Sequence, residues 1–124
     1  MLKLIIADDH SVVRQSLVQL LEEEFYPIKI GEAFDATSLM ELAMQDDWHI
    51  IISDLAMPGG GGLEALRFLR EKDNHTPFII ISTYPREQYE VRVIKAGAQA
   101  FVSKDDLPHA LIQLIRQFSD NHSF

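Results

Sequence analysis

The stretch Leu4-Ile5-Ile6-Ala7-Asp8-Asp9 carries the clearest structural signal in the sequence. Four apolar residues are followed directly by two carboxylates. A short run that is apolar throughout is typical of a strand buried on both faces of a parallel sheet. The stretch therefore predicts a buried parallel strand whose carboxyl end carries negative charge.

Short apolar, β-branched runs recur along the rest of the chain, at residues 28–30, 50–52, 78–81 and 100–102, and those at 50–52 and 78–81 are also apolar throughout. The segments between them have the periodicity of amphipathic helices. The clearest helical pattern is formed by Leu107, Ala110, Leu111, Leu114, Ile115 and Phe118. Strand–helix alternation repeated five times predicts an α/β, doubly wound (βα)5 flavodoxin-like fold. Its five-stranded parallel sheet would have the order 2-1-3-4-5, with helices on both faces.

Some local details of the helices are also predicted. In the first helix Val13, Leu17, Leu20 and Leu21 form the apolar stripe, and Arg14 is expected to face solvent. Gly97 is expected to end the fourth helix in a left-handed conformation. Pro108 suits the first turn of the last helix.

The composition of the sequence excludes several classes of protein. The 124 residues fit one domain, and the sequence contains no cysteine for a disulfide, a thiolate metal site or a cysteine nucleophile. A net charge of −8 makes direct nucleic-acid binding by this chain unfavourable. No apolar run approaches the roughly 20 residues of a membrane span, and the start does not resemble a signal peptide. We expect a cytoplasmic protein that does not associate with membranes.

Polar residues follow the predicted strands where those strands end. Asp8 and Asp9 follow the first, Asp54 ends the third, and Ser82 and Lys104 follow the fourth and fifth. The first and third strands are neighbours in the predicted order, so their three aspartates should converge. Such carboxyl groups repel one another, which raises a pKa unless a cation lies among them. Oxygen ligands without histidine or cysteine favour Mg²⁺.

Each of these residues also has an ordinary explanation. Asp8 or Asp9 could cap the first helix, and Asp105 or Asp106 the last, because aspartate is favoured at helix N-termini. Ser82 could be a simple strand-end hydroxyl. Compatible groups collected at one end of one sheet favour a functional site over these separate explanations.

Four segments then suggest a family: Ile6-Ala7-Asp8-Asp9-His10, Ser53-Asp54-Leu55-Ala56-Met57-Pro58-Gly59, Ile81-Ser82 and Phe101-Val102-Ser103-Lys104. Together they resemble the receiver domain of bacterial two-component response regulators (CheY-like). The resemblance extends from about residue 2 to 118. Within that family, the pairs Asp9-His10 and Lys104-Asp105 are most similar to receivers of LuxR-type (NarL/FixJ-like) transcription regulators.

The resemblance implies a role for each site residue. Asp54 would be the phosphoacceptor, taking a phosphoryl group from a phosphohistidine of a sensor histidine kinase. Mg²⁺ would be held by Asp9, Asp54 and the backbone carbonyl of Ala56, with Asp8 in the outer shell. Beyond its own phosphorylation and dephosphorylation, the domain would not be an enzyme.

Further roles concern the phosphoryl group once it is attached. Ser82, Lys104 and the backbone N–H groups of Ala56 and Thr83 would bind it. Ser82 and Phe101 would form the switch: Ser82 moves toward the phosphoryl group, and Phe101 turns inward. Ala56 and Tyr84 would set the lifetime of the phosphorylated form.

The sequence departs from the family pattern at three places. Residues 58–62 read Pro-Gly-Gly-Gly-Gly, which predicts a mobile loop that is entropically costly to order. Lys104 precedes Asp105 where many receivers have proline. Phe101 stands where tyrosine is common.

The extent of the domain and its output are the last expectations. Residues 1–118 would form the receiver, and 119–124 a tail or the start of a linker. The favoured output is transcription through a helix-turn-helix domain absent from this chain; the alternative is a stand-alone receiver that acts by protein–protein contact. The resemblance leaves open a homodimer formed on phosphorylation. A haloacid-dehalogenase-like phosphatase is disfavoured because Asp8 and Asp9 are adjacent, and a flavodoxin because no Ser/Thr/Gly-rich loop follows the first strand.

Overall fold

The computed structural model describes residues 1–122 and shows one parallel sheet of five strands. The strands are β1 (Leu2–Ala7), β2 (Ile28–Ala33), β3 (Ile50–Asp54), β4 (Phe78–Ser82) and β5 (Ala100–Ser103). Their order is β2-β1-β3-β4-β5, which confirms the predicted fold class and sheet order. Each apolar run of the sequence lies within one of these strands.

Five α-helices connect or follow the strands: α1 (Ser11–Phe25), α2 (Ala36–Ala43), α3 (Gly61–Glu71), α4 (Arg86–Ala96) and α5 (His109–His122). A short 3₁₀ turn covers Lys104–Asp106. Among residues 1–122, no helix is long and apolar enough to cross a bilayer.

The alternation of side chains along each strand produces two cores, one on each face of the sheet. Leu4 and Ile6 of β1 face α1 and α5, whereas Ile5 and Ala7 face α2, α3 and α4. The central strands β3 and β4 divide their side chains in the same way. Burial on both faces explains why these strands are continuously apolar.

The register of the strands places the ends of β1, β3, β4 and β5 at one edge of the sheet. Ala7 pairs with Ser53, Asp54 pairs with Ile81, and Ser82 pairs with Ser103. Residues that follow these pairs therefore extend from the same carboxyl edge.

The ends of the later helices agree only partly with prediction. Gly97 ends α4 at φ 114°, as expected. Pro108 precedes α5 rather than lying in its first turn, and its carbonyl accepts the first helical hydrogen bond, from Ile112 N–H. Neither Asp105 nor Asp106 caps α5, because both belong to the 3₁₀ turn, where Ser103 Oγ accepts from Asp105 N–H.

The end of the chain is helical further than predicted. Residues 119–122 belong to the segment expected to be a tail or the start of a linker, and they are helical because α5 continues to His122. The last two residues, 123 and 124, lie outside the described part of the chain. The domain boundary at residue 118 stays a prediction.

Candidate functional site

Three aspartates meet where β1 and β3 end side by side. Asp8 and Asp54 are buried, and Asp9 is exposed at the surface next to them. One carboxylate oxygen of each, together with a histidine nitrogen, lies within 4.8 Å of the others. The predicted convergence of the three aspartates is therefore present.

An ammonium group joins two of these carboxylates. Lys104 Nζ donates to Asp54 Oδ2 over 2.8 Å and to Asp8 Oδ2 over 3.2 Å. The lysine reaches them because the 3₁₀ turn begins directly after β5 and carries its side chain across the end of the sheet. Charge-assisted hydrogen bonds of this kind hold the Asp54 carboxylate in a fixed orientation.

Burial and the lysine act on Asp54 in opposite directions. Burial raises the pKa of Asp54 above its ordinary value, because it disfavours the charged form. The hydrogen bond and charge of Lys104 lower it, and the charge of Asp8 raises it. The pKa of Asp54 is raised overall, so the expected direction is confirmed. The main cause is burial, and repulsion between the aspartates is secondary.

The pKa of Lys104 is the outcome of a similar opposition. Burial lowers it, whereas the hydrogen bond and charge of Asp54, with a further contribution from Asp8, raise it. The pKa of Lys104 is raised overall. The lysine is therefore positively charged at neutral pH and remains a fixed cation beside Asp54.

His10 belongs to the cluster, which corrects the expectation of an oxygen-only site. Its Nδ1 lies 3.0 Å from Asp8 Oδ1, 3.4 Å from Asp9 Oδ1 and 4.0 Å from Asp54 Oδ2. Its backbone N–H also donates to Asp8 Oδ1 over 2.9 Å. The signal that could have revealed this residue is its position directly after Asp9.

The capping role considered for Asp8 and Asp9 is not observed. His10 occupies the N-cap position of α1, and its side chain makes no capping hydrogen bond. Asp8 Oδ1 accepts from His10, before the helix begins, instead of from a first-turn N–H group. Both carboxylates are therefore directed to the cluster.

Arg14 supports the cluster from α1 and does not face solvent as predicted. Its Nη1 donates to the backbone carbonyl of Asp8 over 2.7 Å, and its Nε donates to Glu32 Oε1 over 3.0 Å. These two hydrogen bonds hold the first turn of α1 against the ends of β1 and β2.

The loop after β3 orients the second oxygen of Asp54. Ala56 N–H donates to Asp54 Oδ1 over 3.2 Å, while Oδ2 is held by Lys104. Two of the glycines that follow, Gly61 and Gly62, allow close packing against the backbone, and the mobility of the loop stays a prediction. A Cβ on Gly61 would lie 2.0 Å from the Leu55 carbonyl oxygen, and one on Gly62 would lie 2.5 Å from the Asp54 carbonyl oxygen.

The residues after β4 form the next part of the edge. Ser82 is buried, and its Oγ accepts from Tyr84 N–H over 2.9 Å. Thr83 is exposed. The half-exposed Tyr84 ring packs against the ring of Tyr89 on α4, with centroids 5.3 Å apart.

Phe101 already lies inward in this structure, the position that the predicted switch gives it after phosphorylation. Phe101 is only 4% exposed and already packs in the core that faces α2, α3 and α4. The guanidinium carbon of Arg86 lies 5.5 Å from the centre of its ring. The coupling of Ser82 and Phe101 on phosphorylation stays a prediction.

The charges and donor atoms fit a hard divalent cation. Three carboxylates this close repel one another, and the single ammonium of Lys104 contacts only two of them. Carboxylate oxygens are the ligands that Mg²⁺ takes in proteins. An anion approaching Asp54 would meet the ammonium of Lys104 and the N–H group of Ala56, both of which contact the Asp54 carboxylate.

The known proteins that match this chain in sequence are similar to one another in description. Residues 4–116 match the family described as "Response regulator receiver domain". The chain is 39% identical over 103 residues to the transcriptional regulatory protein YdfI of Bacillus subtilis, covering 83% of this chain and 48% of YdfI. It is 37% identical over 115 residues to the nitrate/nitrite response regulator protein NarP of Escherichia coli, covering 92% and 53%. The chain thus spans about half the length of these relatives.

Solved structures give the same result. A Francisella response regulator receiver domain superposes with a TM-score of 0.89 at 25% identity, covering 98% of both chains. A DNA-binding response regulator of the LuxR family from Staphylococcus aureus superposes with a TM-score of 0.87 at 28% identity, covering 95% of this chain and 98% of that one.

Proposed function

The chain belongs to the family of response regulator receiver domains of two-component systems, and on this premise we propose that Asp54 is its phosphoacceptor. The proposal rests on the burial and the hydrogen bonds of the Asp54 carboxylate. It is buried at the carboxyl edge of the sheet, with Ala56 N–H on one oxygen and Lys104 Nζ on the other. Such a carboxylate is held in one orientation beside a fixed positive charge.

The reaction proposed for Asp54 is phosphoryl transfer from a phosphohistidine of a sensor histidine kinase. An Asp54 oxygen forms a bond to phosphorus as the phosphorus–nitrogen bond breaks, and the kinase imidazole retains the electron pair of that bond. The product is an aspartyl phosphate. Lys104 and the backbone N–H groups of Ala56 and Thr83, with the hydroxyl of Ser82, would donate to the phosphoryl oxygens.

Mg²⁺ is the cofactor that this site fits. Asp9, Asp54 and the backbone carbonyl of Ala56 would hold the ion, and Asp8 would act in its outer shell. When bound, the ion supplies positive charge against the phosphoryl oxygens. The protein's contribution is to keep the Asp8 and Asp54 carboxylates in place through Lys104.

We further propose that phosphorylation controls a transcriptional output, in the cytoplasm. Support comes from the relatives, which are named as transcriptional or response regulators and are about twice as long as the matched part. A helix-turn-helix domain outside this chain would contact DNA, and the receiver would act on it through a homodimer. A stand-alone receiver acting by protein–protein contact is the alternative, and the length of the complete gene product distinguishes the two.

The test of the proposed phosphoacceptor is incubation with acetyl phosphate and Mg²⁺, followed by intact mass measurement. We expect the mass of one phosphoryl group, lost in Asp54→Asn and retained in the control Asp73→Asn, whose carboxylate is exposed at the end of α3. Unchanged labelling of Asp54→Asn would contradict the proposal. Continuous turnover of a phosphate ester would indicate a phosphatase instead.

A further inference from the structure

Arg14 lies in the first turn of α1 and reaches back to the backbone at the carboxyl edge. Its Nη1 donates to the Asp8 carbonyl oxygen over 2.7 Å, and its Nε donates to Glu32 Oε1 on β2 over 3.0 Å. The Arg14 side chain is only 16% exposed, whereas that of Glu32 is 46% exposed. A guanidinium held by both a carboxylate and a carbonyl oxygen has one fixed orientation. The phosphoryl-transfer reaction described above assigns no part to this arginine.

The carbonyl that Arg14 contacts belongs to the peptide bond between Asp8 and Asp9. Because a peptide bond is planar, fixing this oxygen also fixes the N–H group and the Cα of Asp9. The groups on either side are fixed as well: Asp8 N–H donates to the Ala33 carbonyl over 3.1 Å, and His10 N–H donates to Asp8 Oδ1 over 2.9 Å. The main chain is therefore held both before and after Asp9.

The Asp9 carboxylate depends on its main chain more than the other two carboxylates of the cluster do. Lys104 Nζ contacts the carboxylates of Asp8 and Asp54, both of which are buried. The Asp9 side chain is 35% exposed, and its carboxylate lies 3.4 Å from His10 Nδ1. The position of this carboxylate therefore follows largely from where the main chain places the Asp9 Cα.

We propose that Arg14 is a positioning residue for the divalent cation: by holding the Asp8–Asp9 peptide, it keeps the Asp9 carboxylate where it can bind the ion. Glu32 contributes by orienting the guanidinium. The inference rests on the proposed function in that Asp9 is taken to be a ligand of Mg²⁺. The sign of the effect distinguishes positioning from charge. A guanidinium near the site repels a cation, so its charge alone weakens Mg²⁺ binding, whereas positioning strengthens it.

The chain contains a matched control for this arginine. Arg116 Nη2 on α5 donates to Glu24 Oε2 on α1 over 2.8 Å, so it also joins two elements through an arginine–glutamate pair. Both side chains are exposed, and Glu24 lies in the last turn of α1 rather than the first. Replacing Arg116 therefore removes one positive charge and one ion pair but leaves the contact to the Asp8 carbonyl in place.

The experiment titrates magnesium chloride into the isotope-labelled whole chain and follows the backbone amide signals by NMR, which measures weak binding without phosphorylation. For Arg14→Gln we expect a dissociation constant for Mg²⁺ about tenfold higher than for the wild type, as when a group that orients a metal ligand is lost. Arg14→Lys keeps the charge but cannot donate to both partners, so its affinity should lie between the two. Glu32→Gln should lose less, within about fivefold, because ion pairs with an exposed member are weak. Arg116→Gln should bind Mg²⁺ as the wild type does.

The remaining outcomes separate positioning from other effects. If Arg14→Gln is less stable in urea but binds Mg²⁺ at least as well as the wild type, the inference is overturned, because the arginine then makes only a structural contact. An equal loss of affinity in Arg116→Gln would also overturn it, since any lost ion pair would then have the same effect. If Arg14→Gln does not fold, Arg14→Lys and Glu32→Gln decide, and wild-type affinity in both counts against the inference. If the wild type itself does not bind Mg²⁺, the metal part of the proposed function fails as well.

Discussion

One ammonium group organises the two buried carboxylates at the sheet edge. Lys104 contacts both Asp54 and Asp8, and removing it would leave two buried carboxylates without their cation. Breaking a buried ion pair from one side costs about 3 to 5 kcal/mol. Even with the lysine, burial keeps the pKa of Asp54 above its ordinary value. The metal-free site is therefore electrostatically strained in a way that a bound cation relieves.

The first prediction at this scale concerns pH and Mg²⁺. Because the folded-state pKa of Asp54 is raised, the folded protein binds this proton more tightly than the unfolded chain. The contribution to the free energy of unfolding is complete below the ordinary pKa and is lost as pH rises through the raised value. We expect the metal-free domain to lose stability over that interval. Mg²⁺ at ten times its dissociation constant should restore about 1.4 kcal/mol at neutral pH.

Urea unfolding between pH 4 and 8, with chelator or with Mg²⁺, measures both effects. Asp54→Asn is the control and should lose the Asp54 part of the pH dependence and the Mg²⁺ effect. Asp46 does not interfere, because hydrogen bonds from Lys3 and Lys29 lower its pKa and move its titration to the acid side. A free energy of unfolding indifferent to millimolar Mg²⁺ would contradict the proposed metal site.

The second prediction concerns the lifetime of the phosphorylated form. Ala56 has no group that could orient an attacking water, and the ring of Tyr84 is held against Tyr89. A positioned acid–base or orienting group is worth about a hundredfold in rate. We expect Ala56→Asn and Tyr84→Glu to release phosphate about ten to a hundred times faster than wild type. Release of phosphate from the purified phosphoprotein is the measurement.

Tyr26→Glu is the control for this experiment, because Tyr26 is a highly exposed tyrosine outside the carboxyl edge. It should release phosphate at the wild-type rate. If neither substitution at Ala56 or Tyr84 accelerates release, these side chains do not set the lifetime.

The position of a residue that follows a strand is predictable from the strand order, whereas the direction of a side chain at a helix start is not. Asp54 and Lys104 follow strands, so the sheet order alone places them at one edge. His10 and Arg14 lie at the start of a helix, where one rotation about the side chain decides between solvent and the cluster. Their neighbours in sequence do not determine that choice, because Glu32 and the Asp8 carbonyl come together only in the fold.

At the scale of elements, the β3–α3 connection determines how Asp54 is presented. Leu55 N–H donates to Ile81 O, and Gly62 N–H donates to Leu55 O, so the chain turns tightly after β3. The glycine run in the sequence predicts a mobile loop and does not indicate the close packing of Gly61 and Gly62. A glycine run is compatible with either a mobile or a closely packed turn, and only the neighbouring backbone distinguishes the two.

The third prediction tests this close packing. In Gly61→Ala the new Cβ would meet the Leu55 carbonyl oxygen at 2.0 Å, at a residue with φ +71°. We expect the free energy of unfolding to fall by more than about 2 kcal/mol. Gly59→Ala is the control, since its φ is +82° but its nearest contact is 3.5 Å. It should cost about 1 kcal/mol from the left-handed conformation alone. Equal costs in urea unfolding would show that the close approach is unimportant.

The presence of each strand and helix could be predicted better than the residue at which it ends. Five short β-branched runs were sufficient to predict five strands, and β1, β3 and β4 are buried on both faces, as their continuously apolar runs indicate. The polar residues 119–122 favour a tail in the sequence, whereas α5 continues to His122. Polarity only shows that these side chains need not be buried, and it does not stop a helix.

At the scale of the whole molecule, two surfaces are important: the carboxyl edge of the sheet and the outer side of α4. The carboxyl edge holds the cluster, and α4 carries apolar side chains that the core does not use. Val93 is the buried residue of α4, whereas Val91 is 63% exposed and Ile94 is also exposed. In the sequence, Val91, Val93 and Ile94 form no single apolar stripe, which agrees with this exposure. The Tyr84 N–H group donates to Ser82, and the Tyr84 ring contacts Tyr89 on α4. A displacement of Ser82 would therefore reach this surface through only two contacts.

The last prediction is that phosphorylation produces a homodimer through α4. Burying Val91 contributes about 1.5 kcal/mol, and a twofold dimer buries it twice, for about 3 kcal/mol. Loss of that contribution in Val91→Glu should weaken the dimer roughly a hundredfold. Beryllofluoride with Mg²⁺ mimics the phosphoryl group, and size-exclusion chromatography with light scattering gives the mass. Val12→Glu is the control, because Val12 is 75% exposed on α1, at a different surface. A monomer under all conditions would rule out the dimer, and loss of the dimer in Val12→Glu but not in Val91→Glu would place it on α1.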